Sequence, residues 1–288
     1  MKYYFKDILI KISHIMNKSN QHAQPISVID NYVNFAPSPQ NALDIFQGEW
    51  SSILPEPYKY LKAGTAALLF EDERIQWFVD EVGGVINKTV LELGPLEAGH
   101  TYMLEKFGAS QITSIESNTR AYLKCLIIKE LLGLKHVRFL CGDFCEFLRQ
   151  KDSSQQFQLC VASGVLYHMR NPAELIALLT RHCSEYLFIW THYYDADLIR
   201  NNPALSAKFP SANESEYEGF KHTLYRQEYQ TALEWNGFCG GSASFSFWMN
   251  RGDITLCLQH FGFEIQAIDF DNPHHPNGPA FALIAKRR

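Results

Sequence analysis

The sequence has no CxxC pair, although it contains 7 cysteines in 288 residues. Cys125, Cys141, Cys145, Cys160, Cys183, Cys239 and Cys257 lie at spacings that fit neither a disulfide framework nor a zinc site, and several fall inside apolar runs. Reduced core thiols and a cytoplasmic location are therefore expected, with Cys141 and Cys145 packing rather than ligating, and no metal site is expected. No segment reaches the ~20 apolar residues that a membrane-crossing helix needs. Lys2, Lys6 and Lys11 interrupt the N-terminal apolar residues, so a signal-peptide core is also missing. Positive charge is short as well: 26 Lys and Arg against 31 Asp and Glu leave a formal charge of -5, which disfavours nucleic acid as a partner. A serine-hydrolase elbow is excluded, because Ala162-Ser163-Gly164 has no glycine two residues before the serine. Internal repeats and low-complexity tracts are absent. What is plentiful is apolar and aromatic residues, 46% and 14%, enough for one large or two small domains with a real core.

Taken in order, Phe5, Ile8, Leu9, Ile12, Ile15 and Met16 recur at helical spacing with lysines opposite, an amphipathic helix that suits packing on the body or on a second subunit. Residues 17–57 are polar and rich in turn formers, with Trp50, Tyr58 and Tyr60 as the strong anchors in or beside them. A helical pattern covers 71–82. Strand candidates then alternate with helices: strands at 90–93, 112–116, 137–141, 157–163 and 186–191, and helices at 101–107, 119–132, 144–150 and 173–182. Alternation at this spacing predicts a doubly wound α/β fold, a mostly parallel sheet with helices on both faces. A last helix, 253–261, leads into strands at 263–270 and 280–285, most simply an antiparallel hairpin. Four regions follow: an N-terminal extension (1–70), a core (71–193), an aromatic-rich insert (194–250) and a closing helix and hairpin (251–288).

The chemistry concentrates at strand ends. Glu92 lies near the end of the first strand, and Gly94 and Gly99 follow in Gly94-Pro95-Leu96-Glu97-Ala98-Gly99, where glycine admits close approach of backbone to a nucleotide-like ligand. Glu116 ends the second strand, at the distance where a carboxylate meets a ribose diol, and is followed by Ser117 and Asn118. After the third strand, Gly142-Asp143-Phe144 offers an acceptor for an exocyclic amine and a ring to cover a base. Ser163, Gly164, Tyr167 and His168 follow the fourth strand, and His192 ends the fifth.

These residues resemble the class I S-adenosylmethionine-dependent methyltransferases. LELGPLEAGHT resembles their first motif, SIESN the ribose-binding acid, CGDF the adenine-binding acid, and LCVASGVLYHM the fourth strand and its loop. The last segment, with Arg170-Asn171-Pro172, is similar to the group containing the tRNA wobble-uridine methyl- and carboxymethyl-transferring enzymes and many small-molecule methyltransferases. The resemblance covers residues 71–193 and the closing helix and hairpin. It implies a Rossmann-like fold with a seven-stranded sheet whose last strand is antiparallel, S-adenosylmethionine as cofactor, and cofactor contacts from Glu92, Gly94, Pro95, Gly99, Glu116, Ser117, Asn118, Gly142, Asp143, Phe144, Ser163, Gly164 and Tyr167. Two departures stand out: Leu96 occupies the usual place of a middle glycine, making the first turn one residue longer, and Gln158 stands where the fourth strand often carries an acid.

Methyl transfer requires an acceptor held in line with the methyl, exclusion of water and, for a protonated acceptor, a base. Histidine suits the last role, which singles out His192 as base and His168 beside it. The dense aromatics of the insert (Tyr194, Tyr217, Tyr225, Tyr229, Trp235, Phe245, Phe247, Trp248) suit either a substrate cover or a dimer interface, and Arg226 and Arg251 suit an anionic group. The resulting expectation is methyl transfer to oxygen or nitrogen of a small-molecule or sugar-containing acceptor. The alternatives are a tRNA base-modifying enzyme and a non-catalytic cofactor-binding scaffold. A short-chain dehydrogenase is disfavoured, since Tyr102 and Lys106 match its Tyr-xxx-Lys string on the wrong helix.

Overall fold

The structure, a computed structural model, describes residues 32–152, 154–235 and 237–288; the amphipathic helix expected over 5–16 lies outside them. The chain divides into two compact units at Glu71/Asp72. In the first, α1 (Pro39–Asp44) starts at Ser38, whose hydroxyl accepts from the Asn41 N–H, and Trp50 is buried with its indole N–H donating to the Leu43 carbonyl at 2.8 Å. Trp50 is thus an anchor, but Tyr60 is not: its side chain is 73% exposed.

The second unit opens with α2 (Glu73–Glu81), capped by Asp72, and then alternates β1 (Thr89–Leu93), α3 (Gly99–Lys106), β2 (Gln111–Glu116), α4 (Thr119–Leu132), β3 (Val137–Cys141), α5 (Phe144–Gln150), β4 (Phe157–Ser163), α6 (Pro172–His182) and β5 (Cys183–His192). After two short helices, α7 (Ala196–Arg200) and α8 (Pro203–Ser206), come β6 (Ser211–Tyr217), β7 (Phe220–Glu228), β8 (Phe245–Trp248), α9 (Arg251–His260), β9 (Phe263–Asn272) and β10 (Ala280–Arg287). The seven-stranded sheet has the order β3-β2-β1-β4-β5-β10-β9. β1 to β5 are parallel and β10 runs antiparallel between β5 and β9. Helices α5, α6 and α9 pack together on one layer, and α2 meets α3 on another. The core is strand residues such as Leu91, Cys160, Ile189 and Leu283, fully buried because helices cover them.

Local chemistry explains the boundaries. Asn118 caps α4 through bonds to the Arg120 and Ala121 N–H groups at 3.0 Å, and Gly133 ends it at φ 67°. Asp143 caps α5 in the same way. β5 starts three residues earlier than its apolar run, because the polar residues Ser184 and Glu185 are used by neighbours: Ser184 Oγ donates to the Phe157 carbonyl, and Glu185 pairs with Lys88 at 2.6 Å. The insert is not irregular. It forms a three-stranded antiparallel sheet, β6-β7-β8, whose first strand is largely exposed and carries no apolar alternation to announce it. Cys141 is exposed, contrary to its expected packing role, while Cys145 is buried.

Because β1 lies between β2 and β4, successive crossovers leave it in opposite directions, and a crevice opens at the carboxyl ends of β1 and β4. The candidate residues gather along that rim.

Candidate functional site

The rim has two parts, the ends of β1 to β3 and the ends of β4 and β5. In the first, Glu92 is buried; its Oε2 accepts from Thr101 Oγ1 and from Ser114 Oγ at 2.8 Å, whereas Oε1 has no partner. Glu116 is 6% exposed and accepts from the Asn118 N–H at 2.9 Å and the Leu96 N–H at 3.2 Å. Burial pushes the pKa of both carboxyl groups up. Asp143 spends Oδ1 on the α5 cap, and Oδ2 makes no hydrogen bond among the described residues. Ser117 is exposed, and Asn118, Gly142 and Phe144 are half-buried beside these acids.

The atypical first turn has a physical account. Gly94, Leu96 and Ala98 all adopt left-handed φ, 64°, 53° and 59°. A left-handed non-glycine residue costs roughly 1–2 kcal/mol, so the turn needs support from its side chains. Glu97 turns inward and forms a buried ion pair with Lys124 of α4 at 3.3 Å; Leu96 gives its N–H to Glu116; the Ala98 N–H returns to the Pro95 carbonyl at 2.8 Å. This path brings α3 out at Gly99, ahead of its apolar pattern. Gly94 is required twice, by its φ and by Val165, whose Cγ2 would lie 3.0 Å from a Cβ there.

One network reaches the rim from α2. Asp72 accepts from His100 Nε2 at 2.8 Å and pairs with Arg74. Burial opposes ionisation of Asp72, yet His100 and Arg74 together hold its carboxyl far below the usual carboxylate range. Arg74 in turn lies 4.5 Å over the Trp190 ring at the end of β5.

The second part of the rim is a cluster of rings. Tyr167 packs against His168, His192, Trp190 and Trp248 with centroids 4.1, 4.6, 6.1 and 6.2 Å away, and His192 stacks on Trp248 at 5.2 Å and 8°. Gly164 adopts a left-handed φ of 78° beside the Tyr167 hydroxyl, a backbone conformation that favours glycine. His192 donates Nδ1–H to the Gly278 carbonyl at 2.8 Å, which leaves a lone pair on Nε2. His168 donates Nδ1–H to the Tyr229 oxygen at 2.8 Å, since the single Tyr229 proton goes to the Gly240 carbonyl at 2.9 Å. Burial pushes the pKa of His168 down to about 4, and burial with the neighbouring His275 pushes that of His192 down to about 3. Both rings are neutral hydrogen-bond acceptors rather than strong bases.

Several residues here escaped the sequence reading. His275, in the loop between β9 and β10, approaches His192 at 4.9 Å and Trp190 at 6.0 Å, and Arg74 and Trp190 carried no motif. His275 and Arg74 belong to segments remote in sequence from the strand end they meet, whereas Trp190 lies within β5 itself; only the register, Ala280 opposite His192, could have announced His275. Conversely, not all of the insert reaches the rim. Trp235 is 53% exposed and Tyr217 packs on Phe261. The expected anion-binding arginines are already committed: Arg251 pairs with Asp271 at 2.6 Å and Arg226 with Glu228 at 2.6 Å. Arg251 lines a separate cavity of about 350 Å³ with Tyr194, Asp195, Tyr225 and Asn250. Gln158 lies at the opposite end of the sheet, bonded to the Thr89 N–H and Glu185. Among the described residues no group of three His, Cys, Asp or Glu is placed to hold a metal ion, and no helix is long and apolar enough to cross a membrane.

No family model matches this sequence, and no curated protein matches it. Solved structures do. The N-terminal domain of EvdMO1, crystallised in the presence of SAH and D-fucose, superposes with a TM-score of 0.61 at 17% identity, over 86% of this chain and 94% of that one. The chain has the Rossmann-like methyltransferase fold. Magnesium protoporphyrin IX methyltransferase (ChlM) from Synechocystis PCC 6803, with bound SAH, shares it at a TM-score of 0.52 and 15% identity, over 75% of this chain and 81% of that one. So does the Burkholderia thailandensis 1,6-didemethyltoxoflavin-N1-methyltransferase, at 0.50 and 12%, over 76% and 78%.

Proposed function

We propose that this methyltransferase-fold chain is an S-adenosylmethionine-dependent methyltransferase acting on a small-molecule acceptor. One observation carries the reading: three carboxylates, Glu92, Glu116 and Asp143, stand at successive parallel strand ends along one rim, and Glu92 and Asp143 each keep an oxygen without a hydrogen-bond partner among the described residues. The residues fit the cofactor. Glu116 would hold its ribose, Asp143 and Phe144 its adenine, and Glu92, Gly94, Pro95 and Gly99 its amino-acid end, with Ser117, Asn118, Gly142, Ser163, Gly164 and Tyr167 completing the walls. Bound there, the cofactor supplies an activated methyl group on a sulfonium. The protein's part is to orient, to exclude water and to receive a hydrogen from the acceptor, for which His192 and His168 present Nε2. The fold neighbours support the same reading, since EvdMO1's domain, ChlM and the toxoflavin enzyme were crystallised with SAH, and the last two carry small-molecule methyltransferase names. Titration calorimetry with S-adenosylmethionine and S-adenosylhomocysteine is the test: binding is expected for both, and absence of binding for both removes the proposal.

A further inference from the structure

The ring cluster carries polar atoms that the fold leaves unspent. Trp248 Nε1 is buried with no hydrogen-bond partner. The Tyr167 hydroxyl makes no hydrogen bond among the described residues. His192 offers Nε2 as an acceptor, because its Nδ1–H is used by Gly278. His275 is the mirror case: its Nδ1 accepts from the Asn277 N–H at 3.2 Å, so the neutral ring keeps its hydrogen on Nε2. Leaving a buried donor unpaired destabilises the fold, a cost that a ligand oxygen would remove.

Charge is missing from this set. Arg74, which lies over Trp190, is held by Asp72, and among the described residues no carboxylate pairs with Tyr167, His192, Trp248 or His275. A carboxylate placed among these rings would find its neighbouring cation, Arg74, already paired with Asp72, and an ammonium would find ring faces but no carboxylate to pair with. An uncharged ring would meet the apolar surfaces of Tyr167 and its neighbouring rings, and its hydroxyl groups would meet both donors and acceptors.

We propose that Tyr167, His192, Trp248 and His275 form the acceptor subsite, and that it takes an uncharged, hydroxyl-bearing ring. His192 Nε2 receives a hydroxyl hydrogen, while Trp248 Nε1 and His275 Nε2 donate to ring or hydroxyl oxygens. The inference rests on the methyltransferase reading and narrows its acceptor to a neutral alcohol or phenol. It also makes the β9–β10 loop part of the site.

Saturation-transfer NMR on the full chain with S-adenosylhomocysteine tests it, with methyl glucopyranoside, phenol, glucosamine and glucuronate as probes. Transfer is expected to one or both neutral probes and to neither charged one; the pyranoside and phenol arms separate a saturated from a planar ring. Trp248→Phe and His275→Ala are each expected to weaken that transfer several-fold while calorimetric affinity for S-adenosylhomocysteine stays unchanged. Equal transfer to charged probes, no transfer to either neutral probe, unchanged transfer in both variants, or loss of S-adenosylhomocysteine affinity in both overturns the subsite. Failure of the unmodified chain to bind S-adenosylhomocysteine instead overturns the methyltransferase reading, and the probe experiment repeated without it separates the two failures.

Discussion

The two parts of the rim are built on opposite plans. At the ends of β1 to β3 the side chains are acidic and come from three consecutive strand-turn-helix units; Glu116 and Asp143 bond to Asn118 and to Cys145 and Glu146 just ahead of them, while Glu92 reaches Ser114 of the next strand and Glu116 also takes the Leu96 N–H. At the ends of β4 and β5 they are neutral rings drawn from distant segments, with Tyr229 meeting His168 and Gly278 meeting His192. The first part repeats one strand-turn-helix arrangement, which under the proposed function would hold the cofactor. The second is assembled by topology, and is where one acceptor would be told from another.

The largest effect that would break this contrast lies under the first turn. Lys124→Met removes one buried charged partner of Glu97, and a loss of about 3 kcal/mol of stability is expected in denaturant unfolding. A midpoint unmoved by the single change would mean that the turn is held by something else. Next, Glu116→Ala should weaken S-adenosylhomocysteine binding by roughly 10–100-fold, the worth of charged hydrogen bonds of about 1.5–3 kcal/mol. Neutral-ring binding should hardly change; a matching loss of both would erase the division of the rim.

The two parts also answer to pH with opposite sign. His168 and His192 have folded-state pKa values lowered to about 4 and about 3. The unfolded chain therefore binds more protons, and stability falls as pH drops from about 6.5 toward those values. Glu92 and Glu116 have raised values, so the folded chain binds more protons there and stability falls as pH rises from about 4.5 through their titration. His192→Gln should flatten the acid limb of a stability–pH curve, and Glu92→Gln the limb above it; a variant that flattens the other limb contradicts the assignment. Smallest of all, Trp235→Ala should change stability by no more than about 0.5 kcal/mol, as for an exposed side chain.

The same contrast explains what the sequence reveals. Helices 119–132 and 144–150 are read to the residue because Asn118 and Gly133, and Asp143, mark their ends with local bonds. Glu116 and Asp143 are likewise legible, each fixed by its position at the end of a β-run. The turn at Leu96 and Ala98 is not, because its left-handed backbone depends on Lys124 and Glu116, residues from later elements. His275 is invisible for the same reason: a histidine in a polar, proline-flanked loop carries no signal until β10 is known to pair with β5. The insert shows aromatic density, but which rings face the rim is decided by a sheet whose first strand has no apolar pattern.

The antiparallel β10 has one more consequence. Since it runs against β5, the loop that precedes it must emerge at the same edge as the ends of the parallel strands, with the Tyr193 N–H bonded to the Pro279 carbonyl at 3.0 Å. Residues 273–277 take no part in a strand pairing, whereas the Gly278 and Pro279 carbonyls tie the end of the loop to His192 and Tyr193. In evolutionary terms residues 273–277 form a replaceable cassette: under the proposed function, a lineage could change which acceptor is taken by rewriting one short loop while the acidic half of the rim stays intact.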